Sequence, residues 1–312
     1  MYIKKEVLMR KKKYFYLLFV CIIFTVFCSI SNKTADFTSK VQPDILKETK
    51  VIINGYDLDA MEPFITKDGN FLFFNSLNDG INTSLYYATK VTDTYFEFQG
   101  EITGVNGTPP HLDAVASMDM QNEFYFVSTR DYPSVYENLQ IGHFDNGIVT
   151  GVSPVMGDFY IKSPGWIVMD VEVNKAGDVL YYVNAKFSGG SLPDEAIFGI
   201  ALKDNSEFNK SSSNSDYILQ NINSPDYLVY AACISSDGKE FFFTRIKKGI
   251  LKTEICHSVR SNLVDPFGIP EVIKLSGDLV EAPTLTDDGK RLYYHKKLNE
   301  DGKHHIFTIK IK

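Results

Sequence analysis

Cysteine is scarce in this chain, and its positions exclude a disulfide scaffold. Only four of the 312 residues are cysteine, and Cys21 and Cys28 lie in the N-terminal segment. The remaining two, Cys233 and Cys256, cannot form the framework of a disulfide-rich domain, so a hydrophobic core must stabilise the fold. We expect both to be free thiols, because the strand assignment below puts them on the first and third strands of one sheet. First and third strands are separated by twice the spacing of about 4.8 Å, beyond the reach of a disulfide.

An excess of positive charge is also lacking. The chain has 32 Lys and Arg against 39 Asp and Glu, which gives a net charge of −7. Nucleic-acid binding draws its affinity from clustered Lys and Arg that displace counterions from phosphates. A nucleic-acid partner is therefore excluded.

No hydrophobic run is long enough for an ordinary membrane-spanning helix. The longest, Tyr14 to Phe27, follows a basic stretch and falls short of the roughly 20 residues that cross a bilayer. This pattern predicts a secretory signal peptide over residues 1–31, with Ser29 and Ser31 fitting a cleavage site. Cys28 could instead be lipidated, although Phe27 stands where lipoprotein signals carry a small residue, or the segment could stay as an uncleaved anchor. Each alternative predicts an extracytoplasmic protein, periplasmic or on the cell surface, with membrane contact only through this segment.

Motifs for metal, nucleotide and nucleophilic chemistry are absent. The six histidines show no metal-ligand spacing, and His304 and His305 are neighbours on a strand, so they point to opposite faces. The chain has no Gly-x-Ser-x-Gly elbow, no phosphate-binding glycine loop and no dinucleotide fingerprint. We predict no metal site and no cofactor.

What the chain has is aromatic residues and a repeat. Its 23 Phe and 18 Tyr favour strands. A strand, a polar Asp-Gly turn and a second strand of bulky residues recur, which is a hairpin signal. The clear copies are residues 62–74, 231–243 and 281–294, and the degraded copies are residues 113–126 and 169–182.

The spacing of the copies predicts a five-bladed, all-β propeller over residues 48–312. From position 69 to positions 121, 177, 238 and 289 the steps are 52, 56, 61 and 51 residues, which suits four-stranded blades. The last copy ends after its third strand, so the strand at Lys50–Ile53 should complete the last blade and remove an exposed sheet edge. Residues 32–47 read as a flexible tether. An open β-sandwich is the rival architecture.

The clear copies resemble the WD40-like Pro-Asp repeat family, including the propeller of TolB-like proteins. The resemblance covers roughly residues 50–312 and implies fold rather than chemistry. The N-terminal α/β domain of TolB-like proteins is absent, and five blades is below the usual six, so a TolB role does not follow.

Candidate site residues lie where first strands begin and second strands end, because a propeller brings these positions to one face. Aromatic side chains near the same face suit a sugar ring or a cationic side chain. The charged candidates are Asp59, Glu62, Asp113, Asp170, Glu172 and Glu281, with Arg130, Lys186, Arg245 and Lys296; the aromatic candidates are Tyr132, Trp166, Tyr227 and Tyr230. One interpretation is that the charges pair across blades and hold the propeller in register, with Trp166 as a wedge between blades. The other is a polar ligand site.

Two functions remain open. The sequence favours a non-catalytic binding scaffold in the cell envelope that recognises a protein segment or a glycan at one propeller face. Five-bladed propellers also include furanosidase-like glycosidases, and this resemblance implies that Glu62 or Asp59, Asp113, and Asp170 or Glu281 could be base, pKa modulator and acid. An enzyme needs an unpaired acid pair, whereas the acids of a scaffold should each contact Arg or Lys.

Overall fold

The computed structural model describes residues 47–311, which fold as a five-bladed β-propeller. The predicted signal peptide and all but the last residue of the predicted tether lie outside the described residues. The predicted fold class is confirmed, including the number of blades.

Each blade is an antiparallel sheet of four strands, and the first blade carries a fifth strand. Blade 1 contains β2 (Ile52–Asn54), β3 (Met61–Ile65), β4 (Phe71–Asn75), β5 (Leu85–Thr92) and β6 (Tyr95–Glu101). Blade 2 contains β7 (Asp113–Met118), β8 (Glu123–Ser128), β9 (Leu139–Asp145) and β10 (Ile148–Pro154). Blade 3 contains β11 (Trp166–Val173), β12 (Val179–Lys186), β13 (Glu195–Asp204) and β14 (Glu207–Lys210). Blade 4 contains β15 (Tyr227–Ile234), β16 (Glu240–Lys247), β17 (Thr253–Val259) and β18 (Glu271–Val272). Blade 5 contains β19 (Val280–Leu285), β20 (Arg291–Lys297), β21 (His304–Lys310) and β1 (Thr49–Lys50).

The aromatic residues of the repeat form the core between blades. Phe73 and Phe124 pack between blades 1 and 2, while Tyr181 and Phe241 pack between blades 3 and 4. The short helix α1 (Ser212–Ile218) follows the outer strand of blade 3, and Ile218 extends the second of these clusters. Stability therefore comes from apolar burial between blades.

The hairpin turns explain why the repeat carries glycine. Gly69, Gly177, Gly238 and Gly289 have φ between 68° and 76°, a left-handed conformation that costs glycine little. Blade 2 lacks the glycine and uses a turn one residue shorter, in which Asn122 takes φ 64°. The predicted Asp-Gly turns at Gly69, Gly238 and Gly289 are confirmed, and the degraded copy that contains Gln121 has a different turn.

The N-terminal strand closes the propeller, as predicted, but it divides between two blades. Thr49 and Lys50 pair with Thr308 and Phe307 of the last blade. After the buried Val51, residues 52–54 instead pair in parallel with β6 of blade 1. The N-terminal segment therefore joins the first and last blades by backbone pairing with both.

A bulge in the innermost strand hydrogen-bonds four of the five blades to the blade before them. In four blades the bulge places a non-glycine residue at positive φ and removes its N–H from the ladder. These residues are Glu62, Val115, Ala231 and Ala282. A side chain of the preceding blade accepts each N–H at 2.9–3.1 Å; the acceptors are His295, Asn75, Asp170 and Thr244, respectively. The bulges therefore provide a set of hydrogen bonds between blades around the axis.

Cys233 and Cys256 lie on β15 and β17, separated by β16, and both are free and buried. Burial raises the pKa of both thiols, which suppresses their reactivity. Alkylation of the denatured, unreduced protein followed by peptide mass mapping should find both cysteines modified. A disulfide-linked peptide pair joining Cys233 to Cys256 would contradict the strand assignment.

Candidate functional site

Three acidic side chains converge at one end of the central channel. We call this end the mouth face; the innermost strands begin there, and the hairpin turns lie at the opposite turn face. Glu62 and Asp170 line the channel in blades 1 and 3, and Glu281 is the second residue of the innermost strand of blade 5. The structure thus brings together three of the predicted acids.

The channel is a blind, narrow well. Lys67, in the turn of blade 1, reaches Glu172 of blade 3 with 2.7 Å between Nζ and Oε1, and both side chains are buried. Lys175 of blade 3 likewise bonds Asp287 of blade 5 at 2.7 Å. Because blades 1 and 3, and blades 3 and 5, are not neighbours, both ion pairs cross the axis and close the turn face. The remaining cavity is about 30 Å³, room for about two water molecules.

Glu172 had been expected at the mouth face, and that placement is wrong. It lies one residue before the end of β11, near the hairpin turn, and its carboxylate also accepts a hydrogen bond from Ser117 at 3.0 Å. Strand alternation puts Glu172 and Asp170 on the same side of β11, but at different depths.

A polar network links the acids at the mouth. His295 Nδ1 accepts the N–H of Glu62 at 3.0 Å, while its Nε2 faces Glu281 at 3.5 Å. Asn75 donates to the Glu62 carboxylate and accepts the N–H of Val115 at 3.1 Å. The network therefore fixes Glu62 and Glu281 against the backbone of blades 1 and 2.

Asp170 has a structural task as well. The polar acceptors Asn75, Thr244 and His295 each stand six residues after a turn glycine, but blade 3 has Val183 at that position. Asp170 supplies the missing acceptor, taking the N–H of Ala231 at 2.9 Å. One oxygen of its carboxylate therefore bonds the backbone of the innermost strand of blade 4.

The three acids have divergent pKa values. Burial, then the charges of Asp170 and Glu281, raise the pKa of Glu62 to about 8. Burial raises the pKa of Asp170 to about 7, against the hydrogen bonds from Ala231 and Val171. Burial alone would raise the pKa of Glu281, but the hydrogen bonds from His295 and Tyr230 outweigh it and lower that pKa. No Lys or Arg among residues 47–311 bonds any of these three carboxylates.

Replacing Glu62 by Gln should flatten the dependence of stability on pH. The pKa of Glu62 is raised to about 8 in the folded protein. The contribution of Glu62 to the unfolding free energy is therefore fully present below about pH 4, where the carboxyl is protonated, and is lost as pH rises through about 8. Between about pH 5 and 8 the wild type should lose on the order of 3 kcal/mol more unfolding free energy than Glu62→Gln. Urea unfolding across that pH range measures the difference, and Glu207→Gln, at an exposed position, is the control. If the unfolding free energies of wild type and Glu62→Gln change with pH in parallel, Glu62 is not buried beside the other two acids.

The other predicted charges do not assemble into one ring at the channel mouth. They form ion pairs within single blades or with the N-terminal segment, rather than across blades. The pairs are Asp113–Arg130 at 2.7 Å in blade 2, Lys186–Glu195 at 3.8 Å in blade 3, Arg245–Glu254 at 3.0 Å in blade 4 and Lys296–Glu48 at 2.6 Å. The prediction of pairing across blades is wrong for these residues, because strand register places each partner on an adjacent strand or loop of the same sheet.

The aromatic candidates divide between the mouth and the rim. Tyr230 lies at the mouth, where burial and the neighbouring Glu281 raise its pKa well above the usual value. Trp166 lies at the rim of blade 3, 5.9 Å from Lys186 Nζ, and the Tyr132 hydroxyl accepts the N–H of Gly165 beside it. Tyr227 lies under Arg245, 4.3 Å from the guanidinium carbon.

Asp59 lies beside the mouth on the loop before β3. Its carboxylate contacts His304 Nδ1 at 2.8 Å, and His304 is in ring contact with His295.

Sequence reasoning missed His295, Asn75 and Lys67. Two of these residues could have been found from the sequence. His295 alternates with the buried Tyr293 on one face of β20, which points toward blade 1. Asn75 stands at the same position after its turn glycine as His295 does. Lys67 could not have been found in this way, because a lysine in a polar turn normally points to solvent.

Neither a metal cluster nor a membrane helix is found in the described part of the chain. No group of three or more His, Cys, Asp or Glu within residues 47–311 could hold a metal ion. Over the same residues, no helix has the length and apolar character needed to span a bilayer.

Comparisons with known proteins support the fold alone. No protein-family model and no curated protein matches the chain. A protein of unknown function from Dyadobacter fermentans is 11% identical with a TM-score of 0.51, covering 86% of this chain and 99% of its own. Zg3597, a family 117 glycoside hydrolase from Zobellia galactanivorans, is 12% identical with a TM-score of 0.50, covering 85% and 89%.

TolB from Acinetobacter baumannii is 13% identical with a TM-score of 0.44; the match covers 81% of this chain but only 55% of TolB. Membership of the Pro-Asp repeat family stays a prediction. Fold and site together define a five-bladed β-propeller with an acidic, blind well at one face.

Proposed function

We propose that this protein is a non-catalytic binding scaffold of the cell envelope that seats a cationic group of a protein segment among Glu62, Asp170 and Glu281. The observation that carries the proposal is that three acids meet at the well without a Lys or Arg bonded to any of them within residues 47–311. An ammonium or guanidinium group supplies the missing charge and the donors that carboxylates accept. Placement in the envelope rests on the signal peptide predicted over residues 1–31.

The size of the well supports a side-chain tip rather than a larger ligand. Small-molecule pockets are usually about 300 Å³ or more, whereas this well holds about 30 Å³. A Lys or Arg tip would displace one or two waters at the mouth and leave the rest of the segment on the mouth face, where Tyr230 offers an aromatic surface.

Selection from a random peptide library tests this proposal. Peptides retained by the protein should be enriched in Lys or Arg, and Glu281→Gln should weaken their binding by about tenfold or more. Asp288→Asn at the turn face changes the net charge equally and should leave binding unchanged. Selected peptides without this enrichment, or equal losses in both variants, would contradict a specific cation site at the mouth.

A glycosidase is the second candidate, and two observations favour it. No Lys or Arg among residues 47–311 bonds Glu62, Asp170 or Glu281, which is the arrangement expected of an enzyme rather than of a scaffold whose acids are each paired. The raised pKa values of Glu62 and Asp170 beside the lowered pKa of Glu281 resemble the division between a general acid and an ionised base. The narrow well counts against a sugar ring between these acids. Hydrolysis of aryl furanosides or pyranosides that disappears in Glu62→Gln would replace the binding proposal by this one.

A further inference from the structure

A second cavity on the mouth face lies away from the axis, between blades 3 and 4. It has a volume of about 340 Å³, more than ten times that of the well. We call it the rim crevice. This volume is within the range of small-molecule sites, about 300–1,000 Å³. None of the mouth acids lines it, so it is separate from the proposed cation site.

The floor of the rim crevice is apolar and includes one aromatic side chain. Ala196 is buried, and Ile197, Pro225 and Tyr227 complete the surface. Arg245 lies 4.3 Å from the centre of the Tyr227 ring, and both its Nε and Nη2 bond Glu254 at 3.0 Å. Tyr227 is therefore held in place before any ligand arrives, which lowers the entropy cost of binding against it.

The walls of the rim crevice carry hydrogen-bonding groups of both kinds. Glu195 belongs to blade 3 and is only loosely paired, with Lys186 Nζ at 3.8 Å. Lys248 follows β16 of blade 4 and is exposed, and Ser224 adds a hydroxyl. One carboxylate and one ammonium leave this lining without net charge, in contrast to the three acids of the mouth.

We propose that the rim crevice binds a neutral sugar ring, such as one pyranose unit of an envelope glycan. A pyranose has an apolar face of C–H groups that suits Tyr227 and the aliphatic floor. Its hydroxyls both donate and accept, so they match Glu195, Ser224 and Lys248. A charged ligand would leave one of the two opposite charges of the lining unsatisfied, whereas a neutral polyol satisfies both.

Saturation-transfer NMR with a panel of methyl pyranosides and N-acetylglucosamine tests the proposal on the full protein. At least one sugar should bind with an affinity of about millimolar, with the hydrogens of one ring face saturated most strongly. Tyr227→Ala should weaken this binding about tenfold. Ile197→Trp, at an exposed floor position, should fill the crevice and abolish the signal without disturbing the core.

Controls separate this site from the mouth. Tyr217→Ala, an exposed tyrosine of α1, should bind like wild type, as should Glu281→Gln. If no sugar of the panel gives a signal, or if Ile197→Trp keeps the full signal, the rim crevice is not a sugar site. A sugar signal lost in Glu281→Gln but kept in Ile197→Trp would move the sugar to the mouth.

Discussion

Deletion of residues 48–54 should lower the melting temperature of the propeller by about 15 °C or more. The segment contributes Val51 and Ile53 to the core between the last and first blades, about 1.5–3 kcal/mol for each buried side chain. It also contributes Glu48, whose carboxylate bonds Lys296 at 2.6 Å and Tyr294 at 2.8 Å. Removing Glu48 leaves the buried Lys296 without its partner, at a cost of about 3 kcal/mol or more.

Calorimetric melting of the deletion variant measures this effect. Deletion of residues 34–40, upstream of the described part of the chain and equal in length, is the matched control and should melt like wild type. If the 48–54 deletion also melts like wild type, residues 48–54 do not close the propeller.

Replacing Lys67 by Met should cost about 3–5 kcal/mol of unfolding free energy. The Lys67 and Glu172 side chains are only 5% and 3% exposed, so the substitution leaves a buried carboxylate without its cation. Chemical denaturation of the wild type and of Lys67→Met measures this loss.

A second substitution separates the ion pair from simple packing. Lys67→Met combined with Glu172→Gln should recover most of the loss, because the uncompensated charge is gone. The partly exposed Lys90–Asp93 pair is the control, and Lys90→Met should cost less than about 1 kcal/mol. A Lys67→Met loss that is unchanged in the double variant would mean that no charge is buried across the axis.

The sequence predicts what depends on local pattern. The Asp-Gly turns require a left-handed residue, and the structure places Gly69, Gly238 and Gly289 there. The count of five blades and the closure by the N-terminal strand follow from the spacing of these turns and the missing last strand. The sequence predicted that a single strand at Lys50–Ile53 would join the last blade. In the structure the chain bends at Val51 and residues 52–54 pair with blade 1, and this bend depends on packing between blades, which a local pattern does not show.

The site could be predicted only in part, because it depends on depth and on partners distant in sequence. Glu62, Asp170 and Glu281 were found because each lies near the start of a predicted first strand, although Asp170 is the fifth residue of the observed strand β11. The sequence did not predict that Asp113 lies apart from these three acids. Asp113 pairs with Arg130, and that ion pair depends on the register of the strands in blade 2. Lys67 looks like an ordinary turn residue, and only the closed propeller brings Glu172 within its reach.

Proton release on peptide binding tests the central claim most directly. Isothermal titration calorimetry of the protein with a selected Lys- or Arg-bearing peptide, at about pH 7 in phosphate and in Tris, measures protons through the difference in buffer ionisation enthalpy. A cation at the mouth favours the ionised carboxylates, so it should lower the raised pKa values of Glu62 and Asp170. The predicted result is release of roughly one proton per peptide, reduced in Glu62→Gln. Binding without proton release, or release that is unchanged in Glu62→Gln, would contradict a cation seated among these acids.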